Sequence, residues 1–548
     1  MLNNLTINLS SKIFFIAYFL IALHFPLKHT GGHGLYLPFN IICWIFISII
    51  IGLGLFKIGI SRKIYFSKYF LNCCYGFALI LIPLTYYNNE HSILSFNKIA
   101  GFGFGIILLF ALKQFRFNKK DNLHLIYLIL MGILIQGLLK LCTQTLPNSQ
   151  FLSLISNLDF GAMAQKNIFA TFLATGITIS LALISLDKDH SKFKNMIIFS
   201  IPLVGMTQFY PLQSKMGYIS LFLGVGIGFM ASMKKGKTIA IWMGCLFFGY
   251  LIGMNINRLE RSNADIKHSI STRMSTYLLT CEIIKENPFF GIGYGNFLST
   301  FRKHYADRKA SDSSIQTIGN NNMNHPHNEV LFWIVEGGIL SFLGLLVIAG
   351  GLIATLWNGR RKKGWIFLSM IIPILVHTQL ELPFYISTIH WFIFIFIIFM
   401  IDNELGNEYE LDATKLGFLF KSFSIICTSF NLIYFSTALH TAILITKFER
   451  TGRIDPSILV KVKNSHAWQK KYETTIMKLD LEIAKATKDK DKLSSYVNWA
   501  KNYLNHSPYL FIYYDLAKAY ELLGHGEKGW EIYNQAKHLY PGVDWKDD

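Results

Sequence analysis

Apolar residues along this chain fall in long unbroken runs separated by short charged stretches. There is neither the alternation of a half-buried strand nor the narrow stripe of a soluble helix, and this is how helices in lipid read. The pattern predicts thirteen spans, at 12–26, 35–56, 69–86, 93–112, 123–146, 161–186, 196–211, 217–233, 238–254, 328–356, 365–382, 384–401 and 418–446. The fold class is therefore all-α, a polytopic membrane protein. The first run has no small-residue cleavage site behind it and further runs follow at once, so it is expected to stay as an anchor. Four regions result: a bundle of about nine helices over 1–254, a loop outside the membrane at 255–327, further spans over 328–446, and a helical tail at 447–548.

Charge sets the expected orientation. A formal net charge of +19 would suggest nucleic acid in a soluble protein, but here twenty Lys and Arg sit in alternate short loops, against only Lys28 and Lys215 in the opposite ones. The rich set is Lys57/Arg62/Lys63/Lys68, Lys113/Arg116/Lys119/Lys120, Lys188/Lys192/Lys194, Lys234/Lys235/Lys237, Arg360/Arg361/Lys362/Lys363 and Lys415/Lys421. Cationic loops are retained in the cytoplasm, so the charge is a topology signal and no nucleic acid is implied. The expectation is a bacterial inner-membrane protein with a cytoplasmic N-terminus and with the loop and the tail in the periplasm. One segment resists the pattern: 402–417 is acidic (Asp402, Glu404, Glu408, Glu410, Asp412) yet falls on the cytoplasmic side. If the eleventh and twelfth spans were a re-entrant pair, the tail would flip. Six of the seven cysteines sit in apolar spans and only Cys281 lies outside, which leaves no disulfide framework and no metal spacing.

In the tail, Tyr513-x2-Leu516-Ala517-x2-Tyr520, then Gly529, Tyr533, Ala536 and Pro541, fit the 34-residue tetratricopeptide spacing. The stretch 476–506 (Leu479, Ile483, Leu493, Trp499, Leu504) reads as a degenerate preceding repeat, and a plain helical hairpin is the alternative. Either form presents a surface for protein contact.

Candidate chemistry concentrates where the loop re-enters the membrane. The string 320–329 ends in His325-Pro326-His327-Asn328-Glu329, which brings two histidines, an amide and a carboxylate to one water–lipid boundary. A histidine there can serve as a base, because its unperturbed pKa of about 6.5 is close to working pH. These residues could equally cap the span, with His327 or Asn328 at the N-cap and Glu329 favoured by the helix dipole. Gln165, Asn167, Lys215, Lys140 and Arg273 gather at the same level, and ionisable residues at such depth suggest a site unless they snorkel to headgroups. The loop carries nine Lys and Arg (Arg258, Arg261, Lys267, Arg273, Lys285, Arg302, Lys303, Arg308, Lys309) against six acids, although long loops cross regardless of charge. That excess suggests a lipid-linked phosphate or pyrophosphate; attraction to anionic membrane lipids is the bland alternative. Phe289-Phe290-Gly291-Ile292-Gly293-Tyr294-Gly295 lacks the setting of a phosphate loop and reads as a turn with close backbone packing. His377 and Glu381, four apart on one helical face, are either a second polar pair of the site or a helix-terminal hydrogen bond.

Together these strings resemble the O-antigen ligase/polymerase superfamily, in particular the protein O-oligosaccharyltransferases that glycosylate pilins. Gln165-Lys166-Asn167 looks like the family's Gln-x-Asn segment, and Gln213-Ser214-Lys215-Met216-Gly217 like its Ser-Arg-x-Gly segment. Arg273 through Phe297, with Asn287-Pro288-Phe289-Phe290-Gly291-Ile292-Gly293, looks like its Arg…Pro-Leu-Leu-Gly-Val-Gly segment, and His325 to Leu331 like its His-Asn-Glu-x-Leu segment. His327-Asn328 followed by Gly338 and Ser341 fits the ligase His-Asn…Gly-x-x-Gly pattern except for the final glycine. His377, Glu381, Leu382 and Pro383 look like a His…Glu-x-Pro stretch of protein-glycosylating members. Lys215 departs from the usual arginine and lacks its bidentate fork.

The resemblance implies transfer of a glycan from an undecaprenyl-diphosphate carrier to a Ser or Thr hydroxyl of an acceptor protein such as a type IV pilin, without cofactor, nucleotide donor or required metal. His327 is then the expected base, with His325 as alternative or orienting partner and Glu329 beside them. Arg273 and Lys215, with Lys140 as a further candidate, are the expected cations for the departing pyrophosphate. Gln165, Asn167, Asn328, His377 and Glu381 are expected to bind substrate. The competing readings are a lipopolysaccharide O-antigen ligase or an O-antigen polymerase and, in another class, a multi-span transporter or flippase.

Overall fold

The structure is a computed structural model that describes residues 4–87, 89–146, 163–189, 191–256, 263–318, 323–358 and 361–543. Arg258, Arg261, Arg360 and the asparagines at 320–322 lie outside the described residues, as do the first two positions of the sixth predicted span. The chain divides into two compact units, one built from Met1–Tyr75, Ala100–Glu260 and Val347–Trp468, the other from Gly76–Ile99, Arg261–Leu346 and Gln469–Asp548.

The fold is all-α and polytopic, with eleven helices among the described residues long and apolar enough to cross a membrane. The two further predicted runs, 196–211 and 365–382, are also helical, Lys192–Thr207 of 16 residues with Pro202 inside and Arg361–Thr378 of 18 with Pro373 inside. At about 1.5 Å per residue the first covers roughly 24 Å, short of a hydrocarbon core of about 30 Å.

In the first unit, Lys166–Leu186 is the most enclosed helix, with 94% of its apolar window buried, whereas Thr414–Arg450 buries only 11% of its own. Small residues permit the close approach that drives helix association in lipid. Methyl groups added at Gly217 or Gly224 of Lys215–Ser232 would lie 2.6 Å from Ala170 Cβ and 2.5 Å from Thr178 Cγ2 of that central helix. Its hydroxyls bond inward, Thr175 Oγ1 donating to the Thr171 carbonyl at 2.8 Å and Ser180 Oγ to that of Ile177 at 2.8 Å.

The same unit contains a small antiparallel ribbon that the apolar pattern did not foretell. Lys63–Ser67 pairs with Glu408–Asp412, Lys63 facing Asp412 and Ser67 facing Glu408. The acidic segment therefore lies against the basic collar. Lys63 Nζ meets Glu410 Oε1 at 2.6 Å and Arg116 reaches Glu408 at 3.5 Å. Beneath them Lys113 Nζ pairs with Asp402 Oδ2 at 2.9 Å, both side chains 1% exposed, and Ser67 Oγ donates to the same carboxylate at 2.7 Å.

In the second unit the described part of the loop 255–327 is largely two helices, Asn263–Glu286 and Phe297–Ser311. The first buries Thr276, Leu279, Thr280 and Ile283, a helical spacing diluted by polar neighbours. Glu282 ties the two helices together through His304 Nε2 at 3.0 Å and Arg308 Nε at 3.0 Å. The tail adds two helical hairpins, Gln469–Thr487 with Lys490–His506 and Leu510–Leu522 with Gly526–Leu539. They share a core of Leu481, Ala500, Leu516 and Ala536 that includes Ala306 of the loop helix. A methyl at Gly529 would meet the Ala517 carbonyl at 2.9 Å, so the second hairpin closes where its small residues stand. Arg302, buried, lies 4.3 Å from the ring centre of Tyr540, and His538 pairs with Asp307 at 2.9 Å.

Candidate active site

The structure gathers the predicted residues into two groups, one in each unit. In the second unit, His325 and His327 lie with ring centres 4.6 Å apart, edge to face. The backbone N–H of His327 donates to His325 Nδ1 at 3.2 Å, which fixes that nitrogen as an acceptor. His327 itself adopts φ +56, a left-handed backbone that costs a side-chain-bearing residue about 1–2 kcal/mol. Its carbonyl accepts from the Tyr277 hydroxyl at 3.1 Å. Arg273, half-buried, precedes Tyr277 by four residues and shares its helical face. Asn328 is the cap, its Oδ1 accepting from the Leu331 N–H at 2.9 Å. Glu329 opens the helix Glu329–Asn358, and its Oε1 is buried without a hydrogen-bond partner among the described residues.

Two turns on, this helix breaks. Gly338 has φ +62 and ψ −155, and the glycine turn 287–296 docks into the gap. Ile292 N–H donates to Val335 O at 2.9 Å, Gly293 N–H to Glu336 O at 3.0 Å, and Ile339 N–H to Pro288 O at 3.0 Å. Irregular backbone at membrane depth is tolerated where protein satisfies it, as here. At the same level the carboxylate of Glu336, 1% exposed, is held by the Lys98 ammonium, Ser95 Oγ at 3.2 Å and Gly295 N–H at 2.9 Å. Tyr294 closes the turn, its hydroxyl within 2.7 Å of Ile80 O and of Ser341 Oγ.

In the first unit three of the sequence strings meet in one hydrogen-bonded chain. Ser214 Oγ donates to Asn167 Oδ1 at 2.8 Å, Asn167 Nδ2 donates to Glu381 Oε1 at 2.8 Å, and His377 Nε2 lies 3.3 Å from Glu381 Oε2. His377 is fully buried and Glu381 nearly so. The two proline-bearing helices explain the polar depth, because they stop at Thr207 and Thr378 and the turns after them carry Ser214 and Glu381. Ser214 also caps Lys215–Ser232, accepting from Gly217 N–H at 3.1 Å. Lys215 is exposed in that first turn, where a cation is disfavoured by the helix dipole and an anionic ligand would be doubly attracted. Gln165 is exposed at the head of Lys166–Leu186 and makes no cap bond with its side chain. Lys140 is half-buried one turn beyond Gln136, whose Nε2 lies 2.8 Å from His24 Nδ1.

Sequence reasoning did not select Ser95, Lys98, Ser214 or Glu336. Lys98 and Glu336 carried a usable signal, since each is a charge inside an otherwise apolar run. Ser214 carried none beyond its place in a motif.

Residues 204–346 match the family model described as O-antigen ligase, and residues 365–547 match that described as virulence factor membrane-bound polymerase, C-terminal. No curated protein matches the chain. The fold is that of a multi-pass membrane protein, and the two matches support a glycosyl-transfer role of ligase or polymerase type. They support the O-antigen ligase/polymerase superfamily, the first match covering the histidine segment and the second the tail.

Proposed function

We propose that this protein transfers an oligosaccharide en bloc from an undecaprenyl-diphosphate carrier to Ser or Thr hydroxyls of periplasmic proteins, of which a type IV pilin is the reference acceptor. His327 carries the reading. It is a histidine held in a costly backbone shape, braced by His325 and by Tyr277 on the helix that bears Arg273. The imidazole of His327 takes the proton of the acceptor hydroxyl as its oxygen bonds to the anomeric carbon. The bond from that carbon to the diphosphate oxygen breaks, and the carrier diphosphate leaves with the electron pair. Attack from the face opposite the leaving group inverts the anomeric centre. Within the second unit Arg273 is the proposed counter-charge for the diphosphate; within the first, Lys215 with Asn167, Glu381 and His377 is proposed as a separate polar group for ligand binding. His325, whose Nδ1 is engaged by backbone, orients its neighbour. The proposed step uses no metal, cofactor or nucleotide. A protein acceptor is favoured by the helical tail, proposed as an acceptor-binding module, which packs on the loop helix Phe297–Ser311 in the unit that also holds the histidine segment.

A second reading is favoured by the polymerase description matched over 365–547: the same chemistry with a sugar hydroxyl on a lipid carrier as acceptor. The two are separated in a bacterium that makes a lipid-linked oligosaccharide but lacks its own ligases. With co-expressed pilin, the wild type is expected to add a glycan-sized mass, and His327→Ala to lose roughly a hundredfold or more of that transfer. Unmodified pilin, with glycan on lipid A core or in lengthened lipid-linked chains, would establish the second reading instead.

A further inference from the structure

Lys98 and Glu336 form an ion pair within apolar helices, their side chains 8% and 1% exposed. The ammonium is boxed by aromatic rings, 3.7 Å from the centre of Phe332, 4.4 Å from Trp333 and 5.3 Å from Tyr294. Phe332 in turn carries the ring of His325 at 6.5 Å, next to His327. Glu336 adds bonds from Ser95 and from Gly295 N–H, so one carboxylate joins the helix Phe96–Gln114, the glycine turn and the broken helix. The half-helix before the Gly338 break is cut off from the continuous ladder of its own C-terminal half. Backbone bonds from the glycine turn hold its last residues at Val335 and Glu336, and the buried ion pair ties the same turn to the helix that bears Lys98.

We infer that Lys98 and Glu336 are positioning residues, a pin that fixes the half-helix 329–337 and so aims the His325–His327 segment at its substrate. The inference rests on the transferase reading for its kinetic consequence, but not for its structural one. A buried ion pair is often replaceable by apolar residues without loss of stability. A pin serving only the fold would therefore tolerate such replacement, whereas a pin that sets geometry would not.

The test uses the full-length, detergent-solubilised protein with Lys98→Met, Glu336→Gln and the double variant Lys98→Met/Glu336→Leu. Turnover of the lipid-linked donor is expected to fall about 10- to 100-fold in kcat, the scale of a misplaced catalytic group. KM should stay within about threefold of wild type, because ground-state binding is not removed. Hydrogen exchange over residues 323–335 should quicken in the same variants, whatever the acceptor proves to be. If a single variant fails to fold, the double variant carries the test. A folded double variant with wild-type kcat and unchanged exchange in that stretch overturns the inference. Wild-type protein that turns over no donor, while exchange still quickens in the variants, would instead sink the transferase reading and leave the pin standing.

Discussion

His327 joins two demands in one residue. It must adopt φ +56 to turn the chain from Pro326 into the capped helix, and its imidazole is the proposed base. These demands can be separated, because glycine accepts the same backbone without the ring. The left-handed region costs a normal residue about 1–2 kcal/mol, and glycine gives back roughly 0.5–1 of that through its freer unfolded state. His327→Gly is therefore expected to change thermal stability by less than about 1 kcal/mol while glycan transfer drops about a hundredfold. A thermal melt beside the transfer assay checks both. Destabilisation by several kcal/mol would show that ring packing on His325 holds the segment, and the loss of activity could no longer be assigned to proton transfer. The histidines and Asn328 were legible from residue type at a membrane boundary. The division of labour among them was not, because capping by Asn328 and acceptance by His325 Nδ1 depend on side-chain directions that spacing does not encode.

Among the elements, the helix that follows the histidine segment is interrupted where the sequence reads as continuous. The run 328–356 has the hydropathy of one unbroken span, and glycine is common in membrane helices, so nothing local announces a break at Gly338. The glycine string at 291–295 did announce close backbone packing, but not its partner, which lies some forty residues on. Only the tertiary match of freed carbonyls at Val335 and Glu336 with N–H groups of the turn shows why both occur. Gly338 with φ +62 and ψ −155 sits where only glycine is at ease, and an added methyl would overlap the Phe289 carbonyl oxygen. Gly338→Ala should cost about 2–4 kcal/mol, strain and overlap together. Gly350→Ala, in the same helix with open space at its Cβ, should be within about 1 kcal/mol of wild type, on helix propensity alone. Thermal melts of the two purified variants decide it, and equal melting temperatures would mean that the break is not set at Gly338.

For the molecule as a whole, sidedness is the open property, and the ribbon bears on it. The acidic segment 402–417 was the one contradiction in the charge pattern, and pairing of Glu408–Asp412 with Lys63–Ser67 removes it, because both strands lie at the same end of their unit. Local acids are neutralised by collar cations, so the segment can stay on the cationic side without breaking the bias. From there the chain has one further apolar stretch, Thr414–Arg450, long enough to cross once. If that stretch crosses once, the tail is expected on the side of the membrane opposite the cationic collar. A membrane-impermeant maleimide tests this on intact cells after exposed native Cys281 is replaced by Ser. Tyr409→Cys and Trp530→Cys place thiols at positions 45% and 69% exposed. Labelling of position 530 before lysis, and of 409 only after it, is the expected result. The reverse order would invert the protein and put the proposed base on the nucleotide-rich side, where a lipid-linked donor would require a different acceptor. Simultaneous labelling of both would mean that 414–450 does not cross, and the tail would then share the collar's compartment.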